Sequence, residues 1–401
     1  MLRTPTIFLL LALLVACGSR TGLETGEASA LGDPGEVCDD ANMHLVSMPP
    51  GCVWRASPPF AIAETPPNGR VARIITSCTA EAIVSYSSLE ETPTRPRTVA
   101  ALDMRGRPIG APSFLFDAAI GETERHDPEI APTGFGMVAR AYGTTRGCEL
   151  RPMDGWGEPV GPIVSFGAEV CRNMTRTESG FLMLAGLEGT RRFVSVTSVD
   201  PLVYEEGAAG WITADWSFDF IALPDGRVLA STAPLNGPVR VGLLDWRTGV
   251  GEFATVDREG PTYQNFRLLP FAGGYLFGYL AGEPDDGNSM VLWRLDRDGR
   301  PIGEPSRVDA PRFRSGWLLR QAEGGRAVAV LRTIEPERET ALAVVDIDPS
   351  GAAGEPRVLD VLEGMRDIWG AVVSDGSIVV AYSSREGRLF TPHTVHLSCT
   401  R

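Results

Sequence analysis

The sequence predicts an all-β fold, and three observations support this prediction. Glycine and proline are abundant, with 45 and 31 residues in a chain of 401, as is typical of short strands joined by tight turns. No long segment carries apolar residues at helical spacing. The chain also repeats itself, because LDMRGRPIGAP at 102–112 returns as LDRDGRPIGEP at 295–305, 193 residues later.

Strand-like segments of one type occur seven times. Each is a run of apolar or alternating residues introduced by a glycine or a turn. The seven segments are AEAIVSYSS (80–88), GFGMVARAY (134–142), GFLMLAGL (180–187), GRVLAST (226–232), GGYLFGYLA (273–281), GGRAVAVLR (324–332) and GSIVVAYSS (376–384). The starting glycines of the last six are separated by 46, 46, 48, 51 and 51 residues.

A variable polar loop and a second apolar strand follow each segment, and this second strand ends at an acidic turn in most copies. These strands with their turns are VAALDMRG (99–106), ELRPMDG (149–155), SVTSVDP (195–201), GLLDWRTG (242–249), LWRLDRDG (292–299) and AVVDIDPSG (343–351). A period of about 40 to 50 residues with four strands per unit is the signature of a β-propeller. LDRDGRPIGEP is therefore predicted to be a turn between two strands of one blade.

The two ends of the chain predict how the ring closes. The last unit ends after its second strand, TVHLSC (394–399), while strand-like segments CVWRA (52–56) and RVARIITS (70–77) precede the first unit. We expect this amino-terminal segment to complete the last blade, which would hide the exposed strand edges. The prediction is a single propeller domain over residues 38–401 with seven blades, six being the alternative.

The units resemble a repeat of bacterial secreted propeller proteins. In that repeat a phrase like P-x-I-A-x-x-x-x-G-x-x-V-A-x precedes a phrase like L-D-x-x-G-x-P-x-G. DPEIAPTGFGMVARAY (127–142) and LDRDGRPIGEP are the best matches here, and the resemblance covers about residues 70–399. These motifs specify turn geometry and blade packing, so the resemblance implies a fold and not an activity. VDPLVYEEG (199–207) departs from the turn pattern.

The first residues predict export. An apolar run from Ile7 to Ala16 follows Arg3, and ten residues are too few to span a bilayer core of about 30 Å, so residues 1–16 are predicted to be a signal peptide. Leu14-Val15-Ala16-Cys17 resembles the lipobox of bacterial lipoproteins. The resemblance implies that Cys17 receives diacylglycerol, with acyl chains such as palmitate, and becomes the amino terminus. An ordinary secretory signal is the alternative.

Residues 17–37 follow as a glycine-rich tether with few bulky apolar side chains, which predicts a flexible segment. Lipoproteins retained at the inner membrane commonly have an aspartate after the lipidated cysteine, and this chain has Gly18 there. The resemblance therefore implies a protein of the cell envelope that is anchored in the outer membrane through Cys17.

Charge and composition exclude several functions. The formal net charge is −14 and no basic run interrupts it, so neither nucleic acid nor anionic lipid headgroups are expected partners. The sequence contains no lysine, and all 37 basic residues are arginines. A phosphate-loop lysine, a lysine Schiff base and a lysine general base are thereby excluded.

Six cysteines remain beside Cys17, and an even number in an exported chain predicts three disulfides. They are Cys38, Cys52, Cys78, Cys148, Cys171 and Cys399. From repeat phase we expect a bond between Cys148 and Cys171 within one blade, a ring-closing bond between Cys78 and Cys399, and a local bond between Cys38 and Cys52. Strands two apart in a sheet stand about 9.6 Å apart, beyond the roughly 7 Å that a disulfide spans. Free thiols and a metal site are the alternatives, but without C-x-x-C a zinc site is disfavoured.

No catalytic residue, cofactor site or metal site is predicted. The four histidines are expected to be structural or exposed: His44, His126, His393 and His396. Six aspartates resemble fragments of calcium loops but lack the full alternation of ligands, so turns are expected at Asp285, Asp286, Asp296, Asp298, Asp346 and Asp348. Trp216, Trp317 and Trp369 recur at similar phases, which favours packing between blades. There is no G-x-S-x-G or H-E-x-x-H motif.

These observations favour a lipid-anchored envelope propeller that acts as a non-catalytic binding or scaffolding module. Its contact surface would be the variable loops LEETPTRPR (89–97), AGEPDDGNS (281–289) and IEPERET (334–340), gathered on one face, with a protein or glycan partner and a monomeric chain. The alternative is an extracytoplasmic hydrolase or lyase that acts on glycans with carboxylates lining the channel. Two inward carboxylates would favour the enzyme.

Overall fold

The structure of the protein is a computed structural model. It describes residues 44–62, 69–77, 79–88, 94–119, 129–133, 136–143, 147–167, 171–186, 191–212, 215–234, 237–257, 263–283, 287–333, 340–362, 364–386 and 389–401. Within these ranges the chain is almost entirely β-structure, with one short 3-10 turn at Glu323–Gly325. No helix among the described residues is long and apolar enough to cross a membrane.

Four sheets follow one another along the chain, and in each of them four consecutive strands pair antiparallel in chain order. The strands are β3 (Gly69–Thr76), β4 (Ala82–Ser88), β5 (Thr94–Leu102) and β6 (Pro108–Ala119); β7 (Glu129–Thr133), β8 (Gly136–Gly143), β9 (Gly147–Met153) and β10 (Val164–Ser165); β11 (Cys171–Thr177), β12 (Gly180–Ala185), β13 (Arg191–Val199) and β14 (Leu202–Ile212); and β15 (Asp215–Ala222), β16 (Val228–Pro234), β17 (Val239–Leu244) and β18 (Gly251–Asp257).

A seven-stranded sheet comes next. Its strands, in spatial and chain order, are β19 (Tyr263–Phe271), β20 (Gly274–Glu283), β21 (Gly287–Leu295), β22 (Ser306–Ala322), β23 (Arg326–Thr333), β24 (Ala341–Ile347) and β25 (Arg357–Val361). The long strand β22 has two partners, because residues 306–308 pair with β21 whereas residues 317–322 pair with β23. This strand therefore pairs with β21 near its start and with β23 near its end.

The last sheet contains both ends of the described chain. β26 (Met365–Val372), β27 (Ile378–Glu386) and β28 (Leu389–Thr400) pair in order, and β1 (Val53–Ala56) lies antiparallel on the outer edge of β28, with Trp54 opposite Cys399. β2 (Phe60–Ala61) also pairs with β28. The prediction that the amino-terminal segment completes the last sheet is confirmed for CVWRA. It is wrong for RVARIITS, which forms β3, since a tight turn lets that segment pair with the following strand β4.

The sheets form a closed ring, and the fold is a β-propeller. The first strands of successive units contact one another in the order β3, β7, β11, β15, β19, β22 and β26, and β26 contacts β3. The five sheets of four or five strands each form one blade. All seven segments predicted to be strands form strands, namely β4, β8, β12, β16, β20, β23 and β27.

The hydrophobic core lies between neighbouring sheets. One cluster, for example, joins Leu182 and Phe193 of one sheet to Val228 and Leu244 of the next, and all four are almost fully buried. Burying one such side chain contributes roughly 1.5–3 kcal/mol. Each sheet packs on two neighbours, so core clusters of described residues lie on both of its faces.

The repeated phrase is a turn between the third and fourth strands of a unit, as predicted. Asp296 Oδ1 accepts the backbone N–H groups of Asp298 and Arg300, both at 2.9 Å. The N–H of Gly299 donates to the Asp296 carbonyl at 3.1 Å, and Gly299 has φ +72°. The aspartate therefore organises the turn and the glycine supplies its left-handed residue.

The same turn also packs against the preceding sheet. A Cβ atom on Gly299 would lie 2.7 Å from Leu229 Cδ1 of β16. A Cβ atom on Gly106, in the first copy, would lie 2.9 Å from Val379 Cγ1 of β27. The hydroxyl of Thr394 on β28 donates to the Gly106 carbonyl at 2.6 Å. The motif is therefore a contact between neighbouring sheets as well as a turn.

The antiparallel order gives the ring two different faces. The turn face carries the first-to-second and third-to-fourth turns of each unit, such as 223–227 and 296–300. The loop face carries the second-to-third strand connections and the links between units. We predicted that the variable loops gather on one face, and the strands that flank them end together on the loop face. They join second to third strands of the units, and their central residues 89–93, 284–286 and 334–339 lie outside the described residues.

Candidate functional site

Polar side chains from the first strands of several units converge at the axis of the ring. Arg73, Asp219, Arg267 and Trp369 occupy equivalent positions on β3, β15, β19 and β26, since each pairs with the matching residue of its second strand. The partners of these residues are Ser85, Ser231, Gly278 and Ala381. All four axial residues are half-buried.

Trp369 holds two of the arginines. The guanidinium carbon of Arg73 lies 4.8 Å from the centre of the Trp369 ring, and that of Arg267 lies 5.4 Å from it. The strands β3, β19 and β26 stand at different points around the ring, so these side chains meet only by reaching toward the axis. Cation–π attraction is stronger where water is partly excluded. Trp369 therefore fixes both guanidinium groups near the centre of the channel.

Among the described side chains, Asp219 supplies the carboxylate that lies with Arg73, Arg267 and Trp369. Its Oδ2 accepts the backbone N–H of Leu268 at 2.9 Å. Burial raises the pKa of Asp219 above its usual value, while the Arg267 guanidinium, the Leu268 N–H and then Arg73 act in the opposite direction. Burial is the largest of these effects. The carboxylate therefore sits in a poorly hydrated place beside positive charge.

Arg320 adds a third guanidinium, two residues further along the first strand of its unit than the equivalent position. Its Nη1 donates to the Leu319 carbonyl at 3.0 Å, and its Nη2 donates to the Gly370 carbonyl. Burial, with smaller contributions from Arg73 and Arg267, lowers the pKa of Arg320 to about 10, while Asp219 acts in the opposite direction. Arg320 remains a cation at neutral pH in a poorly hydrated site.

The described axial cluster therefore has three positive groups and one negative group. We name Arg73, Asp219, Arg267, Arg320 and Trp369 together the axial cluster. Glycoside hydrolysis normally needs two carboxyl groups on either side of the scissile bond. The described part of the cluster has one carboxylate, held by a backbone N–H.

The histidines do not join this cluster. His393 stacks on Tyr382 with ring centres 5.5 Å apart, and burial lowers its pKa. His396 Nε2 lies 2.7 Å from Ser377 Oγ, which in turn donates to Asp375 Oδ1. Burial also lowers the pKa of His396. Both are half-buried on β28 and contact neighbouring side chains of the last sheet; His44 is half-buried, and His126 lies outside the described residues.

The aspartates of the resembled calcium loops are used by turns and nearby side chains. Asp348 Oδ1 accepts the backbone N–H groups of Ser350 and Ala352, as Asp296 does in its turn. Asp346 accepts the indole N–H of Trp54 at 3.0 Å, and Asp285 and Asp286 lie outside the described residues. Among the described residues no group of three or more His, Cys, Asp or Glu side chains could hold a metal ion.

The predicted role of tryptophan in packing between sheets is confirmed for two of the three residues. Trp317 is fully buried between sheets, and its indole N–H donates to the Asn265 carbonyl at 2.6 Å. Trp369 packs against the core between the last sheet and the sheet of β3, β4 and β5, and its ring also contacts the Arg73 guanidinium. The side chain of Trp216 lies outside the described ones.

Two disulfides are present among the described cysteines. Cys52 bonds Cys399, with Cα atoms 5.3 Å apart, and Cys148 bonds Cys171, with Cα atoms 5.8 Å apart. Pairing of Cys148 with Cys171 is confirmed, but the bond joins β9 to β11 of the next sheet, which removes the predicted conflict with strand spacing. Cys17, Cys38 and Cys78 lie outside the described residues.

The predicted bonds of Cys38 to Cys52 and of Cys78 to Cys399 are wrong. β1 pairs with β28 in a register that places Trp54 opposite Cys399, so Cys52 lies beside that cysteine. β3, which leads to Cys78, belongs to a different sheet from β28. The bond between Cys52 and Cys399 therefore closes the ring in place of the predicted one.

A shallow surface cavity of about 310 Å³ lies on the turn face beside the second copy of the repeated phrase. Its lining includes Gly273, Arg294 and Asp296. The nearby Arg297 donates to the Gly273 carbonyl at 3.0 Å, and Asp296 organises its turn. These polar groups serve the local backbone, so the axial cluster is the stronger candidate site.

Comparison with known proteins supports the fold. No family model matches the chain, and no curated protein matches it. The β-propeller domain of Cps50 (Swd1) from Myceliophteria thermophila is similar, with a TM-score of 0.50 and 11% identity over 84% of this chain and 99% of that chain. The WD40 domain of SCAP from fission yeast has a TM-score of 0.49 and 10% identity, over 86% of this chain and 87% of that chain.

The S. cerevisiae core factor is also similar, with a TM-score of 0.54 and 7% identity. The likeness covers 89% of this chain and 62% of that chain. At 11% identity, the likeness to the Cps50 (Swd1) domain supports the β-propeller fold and nothing beyond it.

Proposed function

We propose that this chain is a lipid-anchored β-propeller of the cell envelope that binds a partner through its loop face and catalyses no reaction. The single observation that supports this best is the position at which the amino-terminal segment joins the ring. That segment is fixed at the turn face, at the opposite end of the blades from the variable loops.

The attachment is made by backbone hydrogen bonds. The N–H of Val46 donates to the Gln321 carbonyl at 3.0 Å, and the N–H of Glu323 donates back to the Val46 carbonyl at 3.1 Å. The N–H of Ser47 donates to the Gly376 carbonyl at 2.8 Å. These carbonyls and N–H groups belong to first-to-second strand turns of two neighbouring units, so the chain enters the ring at its turn face.

An anchor at Cys17 would be joined to the ring at the end opposite the variable loops. A partner could then use the loop face without displacing the attachment. The ring fits this role because its framework is held by turns, sheet contacts and disulfides, while loops on such a scaffold can vary without loss of the fold. The acidic chain without lysine favours a protein or glycan partner over nucleic acid.

We also propose that the ring has seven blades. The support is the double pairing of β22, which makes the seven-stranded sheet equivalent to two four-strand units that share one strand. The ring would have six blades only if the seven-stranded sheet formed a single blade. Strand β19 contacts β22, and β22 contacts β26, which favours two blades in this sheet.

The alternative of a glycan-active hydrolase or lyase is less well supported. Its chemistry needs a pair of carboxyl groups in the channel, whereas the described axial cluster has Asp219 among three arginines.

Affinity purification from solubilised envelopes, followed by mass spectrometry, tests the binding role. The variant Asp285→Ser/Asp286→Ser removes two charges from a second-to-third strand loop. Its matched control, Asp298→Ser/Glu304→Ser, removes two charges from a third-to-fourth turn on the turn face. We expect a reproducible partner that the first variant loses and the second retains. Equal recovery from both, or no partner with the wild type, would contradict the proposal.

Membrane fractionation tests the anchor separately. The Cys17→Ser variant should move from the membrane fraction to the soluble fraction and lose detergent-phase partitioning, because a diacylglycerol group would no longer be attached. Wild-type protein that is already soluble would refute lipidation.

A further inference from the structure

We propose that the turn face of the ring lies on a lipid bilayer and inserts exposed apolar side chains into its headgroup region, so that the loop face points away from the membrane. This inference deepens the proposed function and rests on the anchor proposed there, because the anchor brings the ring to the bilayer. The observation behind it is a ring of exposed apolar side chains at the same end of the sheets as the attached amino-terminal segment.

Exposed apolar side chains surround the ring at its turn face. Met104 and Trp156 lie within the third-to-fourth turns 103–107 and 154–158. Others lie at the turn-face end of a fourth strand or shortly before one. Each of the six sheets contributes one such residue that is at least 42% exposed, and we call these residues the apolar rim: Val53, Met104, Trp156, Val203, Val250 and Ile302.

The arrangement of the apolar rim favours a bilayer over a protein partner. Turns of one kind occupy one face of the ring, so the six side chains surround the axis near one plane. Polar turns such as 296–300 separate them, so they do not form the contiguous apolar core of a protein interface. The interface of a bilayer is planar and fluid, so it accepts separate apolar side chains. Tryptophan, which Trp156 supplies, is enriched at that depth.

The charges beside the apolar rim favour a zwitterionic lipid surface. Exposed arginines of the turn face form ion pairs with N–O distances of 2.7 to 3.0 Å: Arg227–Asp225, Arg247–Glu205 and Arg300–Glu252. Arginines that are paired in this way do not supply the excess of positive charge that attracts anionic headgroups, and the net charge of −14 opposes such attraction. Insertion of apolar side chains is therefore the expected source of affinity.

The amino-terminal segment joins the ring on this same face. Leu45 is 40% exposed, and the N–H of the next residue donates to the Gln321 carbonyl. Residues 17–43 lie outside the described residues, and a flexible chain of about 27 residues has an average end-to-end distance of about 30 Å. An anchor at Cys17 would therefore hold the turn face near the bilayer at a high effective concentration, so weak insertion is sufficient to orient the ring.

Vesicle flotation with the full-length Cys17→Ser chain tests the apolar rim without the anchor. The probe is a vesicle of phosphatidylcholine, and weak binding at millimolar lipid is expected. Trp156→Ser, introduced into this chain, should lower the partition coefficient about fivefold or more, because the apolar area that enters the interface is lost.

Phe114→Ser is the matched control. Phe114 is aromatic and 44% exposed, against 45% for Trp156. It lies opposite Thr98, four residues before β5 ends at the turn face, which is about 13 Å along the strand. Side chains at a bilayer interface enter it by only about 5–10 Å, so binding of the Phe114→Ser variant should equal that of the Cys17→Ser chain.

Three results would overturn the inference. The first is no binding of the Cys17→Ser chain at up to about 10 mM lipid. The second is equal weakening by Trp156→Ser and Phe114→Ser. The third is a dimer in sedimentation velocity without lipid that Trp156→Ser dissociates, because this would assign the apolar rim to a second copy of the chain. Membrane fractionation of the wild type measures the anchor separately, so failure of the rim leaves the anchor standing, and failure of the anchor does not change the flotation result.

Discussion

Replacing Gly299 with alanine should destabilise the ring more than the same replacement four residues later. Gly299 and Gly303 both belong to the second copy of the repeated phrase, and their φ angles are +72° and +69°. A Cβ atom at position 299 would lie 2.7 Å from Leu229 Cδ1 and 3.4 Å from Leu243 Cγ, whereas at position 303 it would meet nothing within 4 Å. The pair therefore separates the cost of the backbone conformation from the cost of packing.

The expected magnitudes follow from these two costs. A left-handed φ costs an alanine about 1–2 kcal/mol, and both variants bear this cost. Leu229 is fully buried and cannot move aside freely, so Gly299→Ala should also lose about 1–3 kcal/mol through overpacking. We expect losses of about 2–5 kcal/mol at position 299 and about 1–2 kcal/mol at position 303.

Guanidinium unfolding followed by tryptophan fluorescence, with the disulfides intact, measures the difference. The midpoints are compared at a common slope, because a change of slope would mean that the unfolded or native state had changed. The first copy of the phrase offers an independent repeat, with Gly106 in contact and Gly110 open. If Gly303→Ala were as destabilising as Gly299→Ala, the role of the turn in packing between sheets would be refuted.

Two further predictions concern the last sheet. Replacing both Cys52 and Cys399 with alanine should lower the melting temperature more than replacing Cys148 and Cys171. The first disulfide joins residues 347 apart in the chain and the second joins residues 23 apart, so the chain-entropy contributions to stability are about 6 and about 3 kcal/mol. Equal losses of melting temperature in calorimetry would contradict this. Burial lowers the pKa of His393, so the unfolded chain binds more protons near and below pH 6.5 and stability should fall as the pH falls. Unfolding midpoints at pH 7.5 and pH 5 should differ less in His393→Phe than in the wild type, and an unchanged difference would contradict the assignment.

Much of the fold follows from local rules that the sequence displays. The turn of the repeated phrase needs an aspartate to accept N–H groups and a glycine with positive φ, and both requirements act within five residues. The second strands carry apolar residues on both faces because they are buried between two sheets. Such signals depend on neighbours in the chain, so they can be recognised without the structure.

The predictions that proved wrong concern strands and cysteines whose partners lie far apart in the chain. Whether RVARIITS or CVWRA pairs with β28 depends on which segment reaches the free edge after the ring has closed. The disulfide partner of Cys399 depends on that same choice. Repeat phase placed Cys148 and Cys171 in one blade because the first strands had not been recognised, and Cys171 opens the first strand of the next sheet.

The axial cluster was not predicted either, because its residues come from strands that lie far apart in the chain. Its position in the repeat also distinguishes it from the residues that follow it. Two residues beyond Arg73, Asp219 and Arg267, the first strands carry apolar residues, as packing between sheets requires. At the axial position the residue changes from arginine to aspartate to tryptophan among units with the same register. Packing that is common to all units would favour the same residue type in each of them. A position that differs from unit to unit while its surroundings repeat is therefore not determined by the packing that the units share.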